Sequence, residues 1–188
     1  MNPLDQAIFL WFNLGPEAPR ALVSAARGIT QQLPHWMLAA ALAVAAAGQP
    51  HWRRQAGCVL LSIVLAAALA ALRKLGFNEP RPATLGVGTQ WLGQRTSSSF
   101  PSRHAAMTTA YAVSAALAPH LRWPVRLALL LPALAMAWSR MALGLHFPSD
   151  VLAGSTLGVL CALMVQWLVR HRARRRVDDA RTAGTEPG

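Results

Sequence analysis

The sequence predicts an all-α protein: a polytopic membrane bundle of about five to six helices, preceded by short amphipathic ones. Three observations predict it. Of 188 residues, 54% are hydrophobic and 13% charged, against about a quarter charged in an ordinary soluble domain. Stretches free of ionisable side chains run over 36–50, 55–72, 105–119, 127–139 and 151–169, several close to the roughly 20 residues that a crossing helix needs. Alanine and leucine dominate these stretches without period-two alternation, which suits helices rather than barrel strands.

Residues 1–33 read as two short amphipathic helices, lying at the interface or packed against the bundle. The segment LDQAIFLWFNL is apolar and aromatic but too short to cross, and Pro19 to Gln32 carries Arg20 and Arg27 among apolar residues. A broken spanning hairpin is the alternative. Pro34 opens the spanning core, 34–172, whose five spans are expected at 35–48, 55–75, 103–119, 125–142 and 149–169. Short arginine-bearing turns join the first span to the second and the third to the fourth. The longest connection, 76–102, is rich in Gly, Pro, Ser and Thr. Residues 173–188 are charged and small, the composition of a disordered cytoplasmic tail. No basic stretch followed by an apolar one marks a cleavable leader, so the first spans are expected to direct insertion.

The net charge of +11 raises the question of nucleic acid, and its distribution answers it. Nine arginines sit in three places: Arg53 and Arg54; Arg122 and Arg126; then Arg170, Arg172 and Arg174 to Arg176. Each place follows or separates apolar spans, as expected of cytoplasmic loops in an inner (plasma) membrane protein. No aromatic residue interleaves the tail arginines, which argues against a nucleic-acid partner. Cys58 and Cys161 fall inside apolar spans and read as small buried hydrophobes. His35, His51, His120 and His171 read as interfacial, and the seven tryptophans as headgroup-level belts. Ser97 to Ser99 read as a flexible approach to Pro101.

Three fragments carry the chemistry: KLGFNEPRP (74–82), PSRH (101–104) and SRMALGLHFPSD (139–150). Lys74 and Arg81 either mark the membrane boundary or bind phosphate, with Pro80 and Pro82 stiffening the arginine's backbone. Arg73 reads as a boundary residue. Pro101 at a helix start leaves the N–H groups of Ser102, Arg103 and His104 pointing towards an anion, beside a histidine able to donate a proton. His146 precedes Pro148, and Asp150 in the next helical turn is placed to accept its N–H, leaving the other nitrogen free to attack. Arg140, His146 and Asp150 are expensive in an apolar region unless they have a role. Two crossings separate the second fragment from the third, so all three are expected on one membrane face, outside the cytoplasm, with the arginine loops opposite.

In order, the fragments match K-x6-R-P, P-S-x-H and S-R-x5-H-x3-D. The chain therefore resembles the type 2 phosphatidic acid phosphatase superfamily of membrane lipid phosphatases and vanadate haloperoxidases. That resemblance implies His146 as the phosphorylated nucleophile, Asp150 orienting it and His104 as general acid. It implies Lys74, Arg81, Ser102, Arg140 and the backbone at Arg103 as phosphate binders, with no metal and no cofactor. Glycine is usual where this chain has Arg103, whose side chain would serve either a second substrate phosphate or lipid headgroups. The short layout is similar to that of bacterial undecaprenyl-diphosphate phosphatases, which implies a polyprenyl diphosphate substrate in the bilayer. Phosphatidylglycerophosphate, phosphatidic acid and lipid A phosphatase activities, and transfer to another lipid alcohol, stay open. A non-enzymatic transporter or scaffold that holds headgroups is the reading from a different class.

Overall fold

The computed structural model describes residues 2–76, 78–93, 98–119 and 121–183, the side chains of the last helix being described to Arg175. His120 and residues 184–188 of the expected tail lie outside the described residues. The described residues form helices α1 (Pro3–Phe12), α2 (Arg20–Ala47), α3 (Pro50–Gly76), α4 (Arg103–Ala116), α5 (Trp123–Ala128), α6 (Leu131–Ala142) and α7 (Pro148–Ala183), with a 3-10 turn at Pro82–Leu85 and no strand. Among the described residues, three segments are long and apolar enough to cross a membrane: Pro50–Gly76, Trp123–Ala142 and Pro148–Arg175.

The expected spans at 35–48 and 103–119 are not among those three. Helix α4 has 14 residues, about 21 Å of rise against about 30 Å of hydrocarbon. It packs against α3, α6 and α7, so Thr108, Thr109 and Ser114 are buried against protein rather than lipid. Its apolar stretch reads as a span, but the helix itself is too short to count as one.

Pro34 lies within α2 instead of opening a new helix, so the expected second amphipathic helix and first span are one 28-residue element. Proline removes one intrahelical bond, but Val23, Ala26, Thr30, Met37 and Ala41 form one buried stripe on both sides of it. Ala26 packs with Ala142, Leu143 and Leu145, and Ala41 with Val59 and Ile63. His35 consequently sits mid-helix, its Nδ1 donating to the Gln31 carbonyl at 2.7 Å, and does not flank a span. The expected fourth span, 125–142, is divided into α5 and α6 where Pro132, in the first turn of α6, cannot continue the ladder. Helix α7 carries the backbone to Ala183, beyond residue 173 where a disordered tail was expected to start. Its Ala- and Arg-rich composition favours continuation.

Small residues bring α4 and α7 together. A Cβ on Gly154 would lie 2.4 Å from the Ser102 carbonyl oxygen, and one on Gly158 would lie 2.4 Å from that of Ala106. Gly154 and Gly158 are four apart, the spacing that lets helix backbones touch. Ala66, Ala70, Ala106, Ala110 and Cys161 fill the adjoining core. Gly158→Leu should therefore drive α4 off α7, lowering the thermal midpoint of the detergent-solubilised protein by about 10 °C. An unchanged midpoint would contradict this packing.

Helix α1 docks on the bundle through its last and first turns. Phe9 is fully buried and meets Phe147 edge-on at 5.3 Å. Asp5 accepts from the Ser149 N–H at 2.9 Å and from its hydroxyl at 2.6 Å, capping α7 from outside. Asn13 donates to the Thr89 carbonyl at 2.9 Å and accepts from the Thr89 N–H at 2.7 Å. These bonds fasten the end of α1 to the loop beside the third fragment.

Candidate active site

The three fragments meet at one end of the bundle, at the last turn of α3, the first of α4 and the junction of α6 with α7. Lys74, Arg81, Arg103, His104, Arg140 and His146 line a single cavity of about 280 Å³, with Ala71 completing its wall. Asp150 and Ser102 stand behind this surface rather than on it.

Each cation is placed by local structure. Lys74 ends α3, and its Nζ donates to the Ser98 carbonyl at 2.6 Å. Arg81 precedes the Pro82–Leu85 turn, donating to Leu145 O at 2.9 Å and Ser98 O at 3.4 Å, and is only 6% exposed. Arg140 is 2% exposed, in the last turn of α6. Its neighbour Ser139 meets Thr30 Oγ1 of α2 at 2.8 Å, which fixes that turn. Arg73 lies outside the cavity lining and stacks over the Phe100 ring at 5.4 Å, steadying the approach to Pro101. Four cations converging on one small cavity repel one another, and an anion between them removes that cost.

The turn that delivers His146 begins with glycine. The Leu145 N–H donates to Arg140 O at 3.0 Å and the Gly144 N–H to Met141 O at 3.0 Å, a Schellman ending for α6. Gly144 has φ +71°, and a Cβ there would lie 2.2 Å from the Thr89 carbonyl oxygen. Two residues later, His146 is 2% exposed. Burial, then the charges of Arg140, Arg81 and Lys74, hold its imidazole well below the usual range, against an opposing bond to the Ser99 backbone. The ring is therefore neutral at pH 7.

A residue that was read as part of a flexible approach proves central to the geometry. Ser99 is fully buried, and its backbone N–H donates to Glu79 O at 2.9 Å. Its hydroxyl donates to Asp150 Oδ2 and lies 3.3 Å from His146 Nδ1. A hydroxyl has one proton; with that proton on Asp150, Ser99 accepts from Nδ1–H. Nε2 is then the nitrogen with the free lone pair. Asp150 also accepts from the Phe147 N–H at 2.9 Å, while its direct approach to His146 Nδ1 is 3.4 Å, long for a strong hydrogen bond. Ser99 stands between the two groups, donating to Asp150 and lying 3.3 Å from Nδ1. A serine run reads as linker, and the only available clue was Ser99 standing two residues before Pro101.

His104 is half-buried in the first turn of α4, and Arg103 beside it is exposed. Ser102 is fully buried; its N–H, expected to point towards an anion, is instead given to Asp150 O at 2.9 Å, and its hydroxyl has no hydrogen-bond partner among the described residues. A hydroxyl in that state can serve an incoming acceptor. Among the described residues no three His, Cys, Asp or Glu side chains gather to hold a metal ion. Cys58 and Cys161 are buried free thiols.

A second, larger cavity of about 790 Å³ lies between α2, α3 and α4 and shares Arg103 and His104 with the first. Its apolar wall includes Met37, Leu38, Ile63 and Met107, and Gln31 and His35 stand among them.

This fold and these three fragments define a membrane protein of the PAP2 superfamily: the family model matches residues 55–174, and the chain belongs to that family. Among its relatives, the decaprenylphosphoryl-5-phosphoribose phosphatase of Mycobacterium tuberculosis (strain ATCC 25618 / H37Rv) is 34% identical over 160 residues, 82% of this chain and 86% of that one. Escherichia coli YbjG, whose name assigns it provisionally to the undecaprenyl-diphosphatases, is 31% identical over 126 residues. That match covers 64% of this chain and 63% of YbjG, so it spans under two thirds of the relative. The crystal structure of Aquifex aeolicus LpxE shares the fold with a TM-score of 0.76 at 23% identity, over 88% of this chain and 96% of that one. A transmembrane PAP2-type phosphatidylglycerolphosphate phosphatase from Bacillus subtilis shares it at 0.72 and 23% identity, over 89% and 85%.

Proposed function

We propose that this chain is an integral membrane phosphatase that hydrolyses a polyprenyl diphosphate through a phosphohistidine. The observation that carries the reading is the cavity itself, where Lys74, Arg81, Arg140 and Arg103 surround the buried imidazole of His146, whose Nδ1 faces Ser99 and Asp150. The cations hold the terminal phosphoryl group and spread its charge as the bond to the leaving oxygen breaks. Nε2 of His146 forms the new bond to phosphorus, and His104 gives its proton to the departing polyprenyl phosphate. Water then attacks the phosphohistidine, releasing inorganic phosphate and restoring the imidazole, while His104 recovers a proton. Ser99 and Asp150 position the ring. Fixed cations supply the electrostatic work, so the reaction runs without a metal ion.

The larger cavity supports a lipid substrate, since an apolar chain placed there emerges at Arg103 and His104. Arg103 at that junction suits a second phosphate between chain and cleaved group. The relatives' names, which speak of polyprenyl phosphate compounds, support a lipid substrate of this kind. The arginine-bearing end belongs in the cytoplasm by the positive-inside rule, which puts the cavity on the extracytoplasmic face.

Phosphate release by the purified protein, with EDTA present, is expected from polyprenyl diphosphates ahead of phosphatidic acid and phosphatidylglycerophosphate. Abolition by EDTA would overturn the metal-free mechanism, and preference for a phospholipid phosphate would overturn the substrate class. The pH dependence follows from His146. Because its pKa is lowered, the acid limb of kcat/KM should fall below about 6.5, the ordinary imidazole value. The same shift makes the unfolded chain take up this proton first as pH drops, so the stability it confers is present above that value and lost below it. An acid limb above 7 assigned to His146 would contradict the assignment.

A further inference from the structure

A third cavity, of about 370 Å³, opens at the other end of the bundle, between the start of α3, the turn after α4 and the far part of α7. His51, Arg54, Arg170 and Arg174 line it, with Gln55 and Gln166. No aspartate or glutamate is among its described lining residues.

Arg54 and Arg170 are solvent-exposed, and each reaches a backbone carbonyl on a neighbouring element. Arg54 of α3 donates to Val169 O of α7 at 3.5 Å, and Arg170 of α7 donates to Leu117 O after α4 at 3.2 Å. Each guanidinium has five N–H donors, so these tethers leave most of them for another acceptor. Gln55 donates to Ser114 O at 2.5 Å, and Gln166, only 6% exposed, donates to Ser114 O and Oγ at 3.4 Å each. The positive-inside rule asks for arginines near loops. It does not ask that arginines from two separate helices converge on one hollow, where they repel each other unless an anion sits between them.

The level of the cavity says which anion. Arg54 lies twenty residues before Lys74 on α3, and Arg170 twenty residues after Asp150 on α7. Each separation is about 30 Å of helix, the thickness of the hydrocarbon core. The third cavity is thus about one hydrocarbon thickness from the reaction cavity, at the headgroup boundary of the other leaflet, where the abundant anion is a lipid phosphate.

We propose that this cavity binds the phosphate of an anionic phospholipid headgroup through Arg54 and Arg170, at a site separate from the one where the chemistry is proposed. Basic hollows between helices on this side of a membrane suit such headgroups, and a guanidinium matches a phosphate with paired N–H bonds. The proposal stands whatever the substrate of the reaction cavity.

The test uses the full chain in neutral detergent, titrated with phosphatidylglycerol, phosphatidylcholine or inorganic phosphate. Thermal unfolding and native mass spectrometry are followed together. Phosphatidylglycerol should raise the midpoint by about 5 °C and stay bound in the spectrometer, whereas phosphatidylcholine should do neither. The doubly substituted Arg54→Gln/Arg170→Gln protein should lose both effects. Arg122→Gln, which removes a charge from the same end outside the cavity, should keep them. A full shift with inorganic phosphate alone would show a free-anion site and overturn the lipid assignment. No shift in the parent, or equal loss in Arg122→Gln, would overturn the site. If the double variant fails to fold, the parent's retention of phosphatidylglycerol over phosphatidylcholine, kept by Arg122→Gln, decides.

Discussion

Replacing His146 with alanine is expected to lower phosphate release by about four orders of magnitude or more, because loss of a covalent nucleophile removes the whole first step. The variant should still be extracted and chromatograph like the parent, since Arg81 keeps its bonds to Leu145 and Ser98, and Asp150 keeps those to Ser99 and Phe147. The parent, quenched during turnover, should carry a phosphate label that acid removes and alkali does not, as a phosphohistidine requires. The alanine variant should carry none. A folded His146→Ala protein that retained turnover would end the phosphohistidine mechanism, and with it the role given to Ser99. The headgroup-binding alternative predicts instead no phosphate release from either protein and unchanged headgroup binding by the variant, since the four cations are untouched.

Gly144→Ala is the second large effect expected. It places a methyl group 2.2 Å from the Thr89 carbonyl oxygen while demanding φ near +71° from a residue with a Cβ. Neither neighbour can yield easily. Thr89 is gripped by both ends of the Asn13 amide, and the Leu145 N–H is committed to Arg140. The left-handed conformation alone costs about 1–2 kcal/mol, and the backbone overlap adds more. The turn should shift, carrying Arg140 and His146 apart, with a drop in kcat of at least about a hundredfold and a lower thermal midpoint. Wild-type activity and midpoint in Gly144→Ala would show that the turn does not position the site.

Much of the candidate site was legible because of where its residues stand. Lys74, Arg81, Arg103, His104, Arg140 and His146 are ionisable groups at the ends of apolar segments, and such groups are conspicuous against leucine and alanine. Ser99 was not legible, since hydroxyl residues in a Gly/Pro/Ser connection look like linker whether or not one of them is buried against a histidine. The helical class followed from composition and period. The helix boundaries were less accessible. Pro34 carries a local instruction to stop, and only the stripe through Val23, Ala26, Thr30, Met37 and Ala41 outweighs it. The expected span at 103–119 was over-long for the converse reason: its apolar run extends past Ala116, where helix α4 stops after 14 residues. The pair Gly154 and Gly158 was present in the sequence, but its meaning depends on which helix lies against it.

The bonds from Asp5 to Ser149 bear on how the protein is handled. Anything joined ahead of Pro3 would emerge within one short helix of the turn carrying His146, where a bulky affinity handle would crowd incoming lipid and loosen the cap on α7. A handle beyond Ala183 hangs at the remote pole instead, so C-terminal tagging should preserve turnover that N-terminal tagging blunts.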